Sequence, residues 1–370
     1  MNKITVTSPL LPPLEELTPL LKDIWDSKWL TNSGQYHQKL EQALCNYLDV
    51  PYISLFSNGT LALITALQAL DLEGEVITTP YTFVATSHAI KWNKLTPIFV
   101  DIDPDTFNIS PDKVEQAITE RTCAILPVHV YGNPCDHQAL QKIADKHNLK
   151  IIYDAAHAFG VKENEISILN YGDAAILSFH ATKTYSTIEG GAVVCHSLEM
   201  KEKLDQLKNF GFESETAISQ CGMNAKLNEV QAAFGLVTLN HIDQAILKRK
   251  DVSDYYHKHL GTVKGIKLFT PTDNVQPNYS YFPILVDESE FGCSRDELFE
   301  YLKGNNILAR KYFYPLITDF DAYKNNNEIF NSAKQISDCV ICLPIHTCLA
   351  KEEVEKVVEV VKLACGYGSM

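Results

Sequence analysis

Between residues 50 and 200 the chain alternates short, nearly continuous apolar runs with longer segments whose apolar positions recur every three or four residues. The runs Tyr52–Phe56, Glu75–Thr78, Pro97–Val100, Cys123–Val130, Lys150–Tyr153, Ala174–Phe179 and Gly191–Cys195 have the length and composition of strands. Thr60–Leu70, Ser87–Trp92, Pro111–Thr119 and Asp136–His147 read as amphipathic helices between them. A strand buried on both faces needs no polar alternation, so the pattern predicts an α/β fold with a mostly parallel, helix-covered sheet. Ligands of such sheets bind beyond the carboxyl ends of the strands, which directs attention to the polar residues that follow each run.

Residues 199–260 read as mostly helical, with breaks at Gly211 and Gly222. Beyond Gly261 the pattern changes to shorter strands (Tyr279–Val286, Val340–Pro344) and helices (Ser294–Gly304, Ala350–Ala364), a smaller C-terminal α+β domain. The expected organisation is an N-terminal segment, 1–30, packing on the small domain, a large α/β domain over 31–245, and the small domain over 246–370. No internal repeat or low-complexity tract interrupts it.

Composition narrows the range of functions. The 370 residues are 45% hydrophobic, enough for a sizeable core. Lys and Arg number 32 against 46 Asp and Glu, a net charge of −14, which argues against nucleic acid and anionic membrane as general partners. No apolar run is long enough to span a membrane, and Met1–Val6 lacks a signal-peptide core, so a cytoplasmic protein is expected. The ten cysteines are scattered. Cys339 and Cys342 form a C-x-x-C filled by Val340 and Ile341 with no second pair at zinc spacing, which fits a core strand and no metal site.

Three segments could carry chemistry. Phe56-Ser-Asn-Gly59-Thr60 follows a strand and opens a helix; helix-end amides, a hydroxyl and a glycine make an anion site, although the same residues would serve as a plain turn capped by Thr60. Ile151-Ile-Tyr-Asp154-Ala-Ala-His157 sets a carboxylate at a strand end, where it could keep a heteroaromatic nitrogen protonated, with His157 either beside the same ligand or structural. Ser178-Phe-His-Ala-Thr-Lys183 puts a lysine past the next strand; in a cleft its pKa falls and it can condense with an aldehyde, while in an open loop it is only solvated. Together they are more specific than any one alone. A phosphate cradle, a carboxylate for a pyridinium nitrogen and a lysine for an aldehyde are the three parts that pyridoxal 5′-phosphate requires.

These motifs, with Trp29-Leu-Thr-Asn-Ser-Gly34, Pro80-Tyr-Thr-Phe-Val-Ala-Thr86, Val128-His-Val-Tyr-Gly132, Glu189-Gly-Gly-Ala192 and Gly222-Met-Asn-Ala-Lys-Leu-Asn-Glu-Val-Gln-Ala-Ala233, resemble the DegT/DnrJ/EryC1/StrS family of nucleotide-sugar aminotransferases over nearly the whole chain. The resemblance implies a pyridoxal-phosphate-dependent transferase of fold type I, aspartate aminotransferase-like, and a homodimer with shared active sites. It implies Lys183 as the lysine bound to the cofactor, Asp154 at the pyridine nitrogen and His157 beside the ring hydroxyl. Gly59, Thr60 and Ser178 would contact the phosphate, Phe83 would stack on the ring, and Asn224 would reach the phosphate in the neighbouring subunit. Lys226 and Leu40 depart from the residues commoner in the family, without touching this set.

The loop Thr184–Gly191 is similar to that of family members acting on 4-keto sugars, and Trp29–Asn32, His180–Lys183 and Asn224–Glu229 to those forming dTDP-4-amino-4,6-dideoxyglucose. The implied substrate is a nucleotide-linked keto sugar, with glutamate as donor, 2-oxoglutarate as by-product and pyridoxamine 5′-phosphate as the alternate cofactor form. A 3-keto sugar aminotransferase, a related dehydratase and a non-catalytic regulator are the rival readings; the intact Lys183 opposes the last two. Lys28, Trp29, Thr31, Arg310, Tyr312 and Tyr314 are candidate substrate contacts, the last three set in an aromatic cluster that could equally be core. His129 and Tyr131 read as structural.

Overall fold

The computed structural model describes residues 3–324 and 329–364. Seven strands form its central sheet, in the order 52–56, 191–195, 174–178, 150–154, 122–126, 75–78 and 96–99. Neighbours run parallel except Gly191–Cys195, which is antiparallel to the strands on both sides. Apart from the edge strand 96–99, the strands are buried along most of their length, which accounts for their unbroken apolar runs. Two cores cover the two faces. One takes in Leu55, Ile77, Ile125 and Leu177 with helix Gln35–Leu48; the other takes in Phe56, Val76, Leu126 and Ile176 with helix Gly59–Ala69.

Local chemistry sets the ends of these elements. The strand expected over Cys123–Val130 stops at Leu126, because Pro127 has no N–H for the ladder. Residues 130–132 then form a tight turn with Tyr131 at φ 58°. Helix Gln35–Leu48 begins at Gly34, which has no side chain to cap it. The buried Glu229 carboxylate does so instead, accepting from the Tyr36 and His37 amides at 2.8 and 2.9 Å. A Cβ on Gly34 would lie 2.6 Å from that carboxyl group.

The predominantly helical expectation for 199–260 is corrected in its middle. Helices Leu198–Leu207, Glu229–Leu239 and Ile242–Leu260 are present, but Phe212–Ser214 and Ala217–Ile218 pair as a hairpin. Gly211 turns the chain into it at φ 82°, where a Cβ would strike the Gln220 carbonyl.

A third core surrounds an antiparallel sheet of Ile266–Leu268, Phe282–Val286 and Val340–Leu343, with helices Arg295–Gly304 and Lys351–Ala364. Cys342 is buried within this sheet. Residues near the N-terminus divide. Strand Ile4–Thr5 pairs with Ile307–Leu308, whereas helix Leu14–Ser27 packs on helix Glu229–Leu239 and sends Ile24 into the first core. Packing of residues 1–30 wholly on the small domain is therefore corrected: the apolar stripe of that helix finds its partner on the large sheet's side. Helix Ile242–Leu260 serves both units, with Ile242 and Ala245 in the first core and Val252, Tyr256 and Leu260 in the third. No helix among the described residues is long and apolar enough to cross a membrane.

Candidate active site

A cavity of about 300 Å³ opens at the carboxyl ends of the central strands, closed on one side by Tyr281, Tyr312 and Phe313 from the C-terminal half. Its floor begins at the turn after strand Tyr52–Phe56. Asn58, not Thr60, is the helix cap, its side chain accepting from the Leu61 amide at 2.9 Å. That leaves the Gly59 and Thr60 amides without a partner among the described residues, at the positive end of an eleven-residue helix. Ser178 faces them: a Cβ on Gly59 would lie 3.0 Å from the Ser178 Cβ and 3.2 Å from its Oγ. The reversed strand starts with Gly191 for a related reason, since a Cβ there would press on the Asn58 and Gly59 backbone at 2.6 Å.

Asp154 ends its strand on the cavity wall and is buried. Its Oδ2 accepts from Thr86 Oγ1 at 2.7 Å and its Oδ1 from the Ala156 amide at 3.1 Å. Burial raises its pKa, and the Thr86 hydroxyl, the Ala156 amide and the Lys183 charge work against that rise. Thr86 is itself held by Thr82 Oγ1 at 3.0 Å.

Lys183 reaches in from the loop after Ser178 and donates to Tyr281 Oη at 3.4 Å. Burial lowers its pKa from 10.5 to about 8, against the upward pull of Asp154 and then Tyr312. His157 lies between Phe313, stacked at 5.8 Å between centroids, and Tyr281, edge-on at 4.9 Å. Its Nδ1 accepts from the Tyr131 amide at 3.3 Å, which assigns its proton to Nε2. Burial, the Lys183 charge and His129 all push its pKa well below the usual histidine range, so the ring is neutral.

The cavity thus brings together Gly59, Thr60, Phe83, Asp154, His157, Ser178, Lys183 and Tyr312. Phe83 is 60% exposed and stands at the start of helix Val84–Trp92, an aromatic face turned to the opening. Arg310 and Tyr314 line an adjoining hollow of about 420 Å³, which shares Thr82, Phe83, Tyr312 and Phe313 with the first. The Tyr314 ring lies under the Arg295 guanidinium at 4.4 Å. Lys28, Trp29, Thr31 and Asn224 are exposed and line neither space. Thr86, Tyr281 and Phe313 were not anticipated. Thr86 lies within the Pro80–Thr86 motif and Phe313 within the aromatic cluster of Arg310, Tyr312 and Tyr314, whereas Tyr281 is brought in only by the fold.

A match to the sequence profile of one family spans residues 14–362. The chain belongs to the DegT/DnrJ/EryC1/StrS aminotransferase family. It is 56% identical over 361 residues to a dTDP-4-amino-4,6-dideoxy-D-glucose transaminase of Shigella dysenteriae, covering 97% of this chain and 98% of that one. A transaminase of the same description from Escherichia coli is 51% identical over 364 residues, with 96% of each chain covered. Among solved structures, DesI in the presence of its TDP-sugar product superimposes with a TM-score of 0.96 at 33% identity, over 100% of this chain and 94% of that one. NtdA from Bacillus subtilis with bound cofactor PMP gives 0.87 at 28%, over 95% and 82%.

An aminotransferase of this family works with pyridoxal phosphate, and the residues present fit that group. Two unpartnered amides and two hydroxyls form a cradle that a Cβ at Gly59 would crowd. A buried carboxylate and a lysine with a lowered pKa line the same cavity.

Proposed function

We propose that this chain transfers the amino group of glutamate to carbon 4 of dTDP-4-keto-6-deoxyglucose, giving the nucleotide-linked 4-amino sugar and 2-oxoglutarate. One observation carries the reading: Lys183, Asp154 and the Gly59–Thr60 cradle converge on one cavity. The 56% identity to a dTDP-4-amino-4,6-dideoxy-D-glucose transaminase supports the choice of sugar.

The cofactor, alternating between pyridoxal and pyridoxamine phosphate, supplies the electron sink that makes the proton on the amine-bearing carbon acidic. The Gly59 and Thr60 amides with the Thr60 and Ser178 hydroxyls hold its phosphate. Asp154, fixed by Thr86, keeps the pyridine nitrogen protonated. His157 donates its Nε2 proton to the ring oxygen, and Phe83 covers the ring face. Lys183 would take the proton from the amine-bearing carbon and return it. Its pKa, lowered to about 8, makes the neutral form far more accessible near neutral pH than in an ordinary lysine. The same residues serve glutamate and then the keto sugar, a ping-pong order.

The hollow beside Arg310, Tyr312 and Tyr314 would take the nucleotide end, with Lys28, Trp29 and Thr31 supplied across a dimer interface. The working unit is a homodimer in which Asn224 serves the partner's cofactor phosphate, located in the cytoplasm, with its product used for deoxyamino sugars of the O-antigen lipopolysaccharide type. The large unit, 31–245, and the small one, 246–370, meet within the long helix.

Protein loaded with the cofactor should absorb in the visible, be bleached by glutamate, and regain its band with dTDP-4-keto-6-deoxyglucose as the 4-amino product appears by mass spectrometry and NMR. Preference for a 3-keto sugar, keto product without net amino transfer, or no turnover of any kind would each replace this reading by one of its rivals. Full turnover by Lys183→Ala would overturn the assignment of the lysine.

A further inference from the structure

Among the cavity's side chains with no part in holding the cofactor are His180 and Glu189, one on each side of Lys183 along the same 179–190 connection. His180 Nδ1 accepts from the Thr182 amide at 3.2 Å and meets Thr182 Oγ1 at 2.8 Å, so its proton sits on Nε2. That Nε2 faces Glu189 Oε1 at 3.6 Å, too long for a direct hydrogen bond. The loop behind Glu189 is fixed. Its carbonyl accepts from Thr187 Oγ1 at 2.8 Å and from Gln231 Nε2 at 2.7 Å, and Gln231 is held in turn by Asn228 Nδ2 at 2.7 Å. Both side chains remain about half exposed, at 47% and 53%.

The rim therefore presents one donor and one anionic acceptor with a gap between them. A hydroxyl satisfies both at once, donating to the carboxylate and accepting from Nε2–H. A carboxylate can only accept, and Glu189 would repel it. We infer that His180 and Glu189 form a binding site for a ring hydroxyl of the keto sugar, neighbouring the carbonyl that reacts, and discriminate the sugar from the dicarboxylic donor that uses the same cavity. The inference rests on the sugar-aminotransferase reading above.

The test separates the two half-reactions in the loaded enzyme, by stopped-flow with glutamate and then with dTDP-4-keto-6-deoxyglucose. It also measures equilibrium binding of dTDP-4-amino-4,6-dideoxy-D-glucose by calorimetry. Glu189→Gln, which keeps the shape and removes the charge, should slow the sugar half-reaction and weaken product binding about 10- to 100-fold more than it slows the glutamate half-reaction. A dTDP-sugar lacking the adjacent hydroxyl should bind the wild type more weakly by a similar factor, yet scarcely distinguish wild type from Glu189→Gln. Equal losses in both half-reactions, or none in either, would overturn the hydroxyl site while leaving the aminotransferase intact. A wild type that is bleached by glutamate but neither binds nor aminates the dTDP sugars would overturn the choice of sugar, and this site with it.

Discussion

The lysine titration offers the most direct check on the physics of the site. Burial lowers Lys183 from 10.5 to about 8. At pH 7 an amine of pKa about 8 is neutral in about one molecule in ten, against about three in ten thousand for an ordinary lysine, a gain of about 300-fold in the form that attacks carbonyls. Trace acetylation of the apoprotein across pH 6–10, with the Lys183 peptide quantified by mass spectrometry and denatured protein as reference, should give a midpoint near 8. Asp154→Asn sharpens the test. Removing an anion disfavours the ammonium, so the midpoint should fall further. A wild-type midpoint of about 10 would show that water reaches the amine freely, and a rise in Asp154→Asn would show that the carboxylate's effect has the wrong sign.

Three further outcomes follow from the same contacts. Thr86→Val removes the hydroxyl bound to Asp154 and should cost about 2 kcal/mol of stabilisation of the carboxylate, seen as weaker cofactor retention and lower kcat with the fold unchanged by circular dichroism. Gly59→Ala pushes a methyl group against Ser178 and should raise the Kd for pyridoxal phosphate about tenfold by fluorescence titration, more than it affects the KM for glutamate. Lys208→Ala removes a buried ammonium that lies 2.7 Å from Asp205 and 3.5 Å from Glu41, and should destabilise the chain by about 3 kcal/mol in denaturant titration.

How far the sequence could be read depended on where each signal lay. The central strands were legible because all but the edge strand 96–99 are buried along most of their length and so spell out apolar runs. The cradle, Asp154 and Lys183 were legible because each directly follows such a run. The 212–218 hairpin was not: its residues are exposed, with no core face to impose a period of two, and only the backbone geometry of Gly211 sets it. Thr60 was a plausible cap by residue type, but Asn58, one residue before the helix, wins because its side chain reaches the Leu61 amide. Tyr281 carries no local signature, since the wall it forms exists only once the C-terminal unit folds against the sheet. Glu229 illustrates the same limit, because its acceptor role belongs to a helix start almost two hundred residues away.

The reversed strand, Gly191–Cys195, has a consequence for how such a protein can change. Gly191 stands opposite Phe56 on one side and Ser178 on the other. The exits toward the cradle and toward Lys183 are thus separated by two interstrand spacings, about 10 Å. That distance is a ruler made of backbone hydrogen bonds and owes nothing to side chains. Loops at the mouth can be exchanged to suit a new sugar without altering the spacing of those strand ends. Adding or deleting one residue in the strand would slide its register and exchange the side chains that face the two cores. Substrate preference is therefore free to drift on this scaffold, while the chemical step stays locked to the pitch of the sheet.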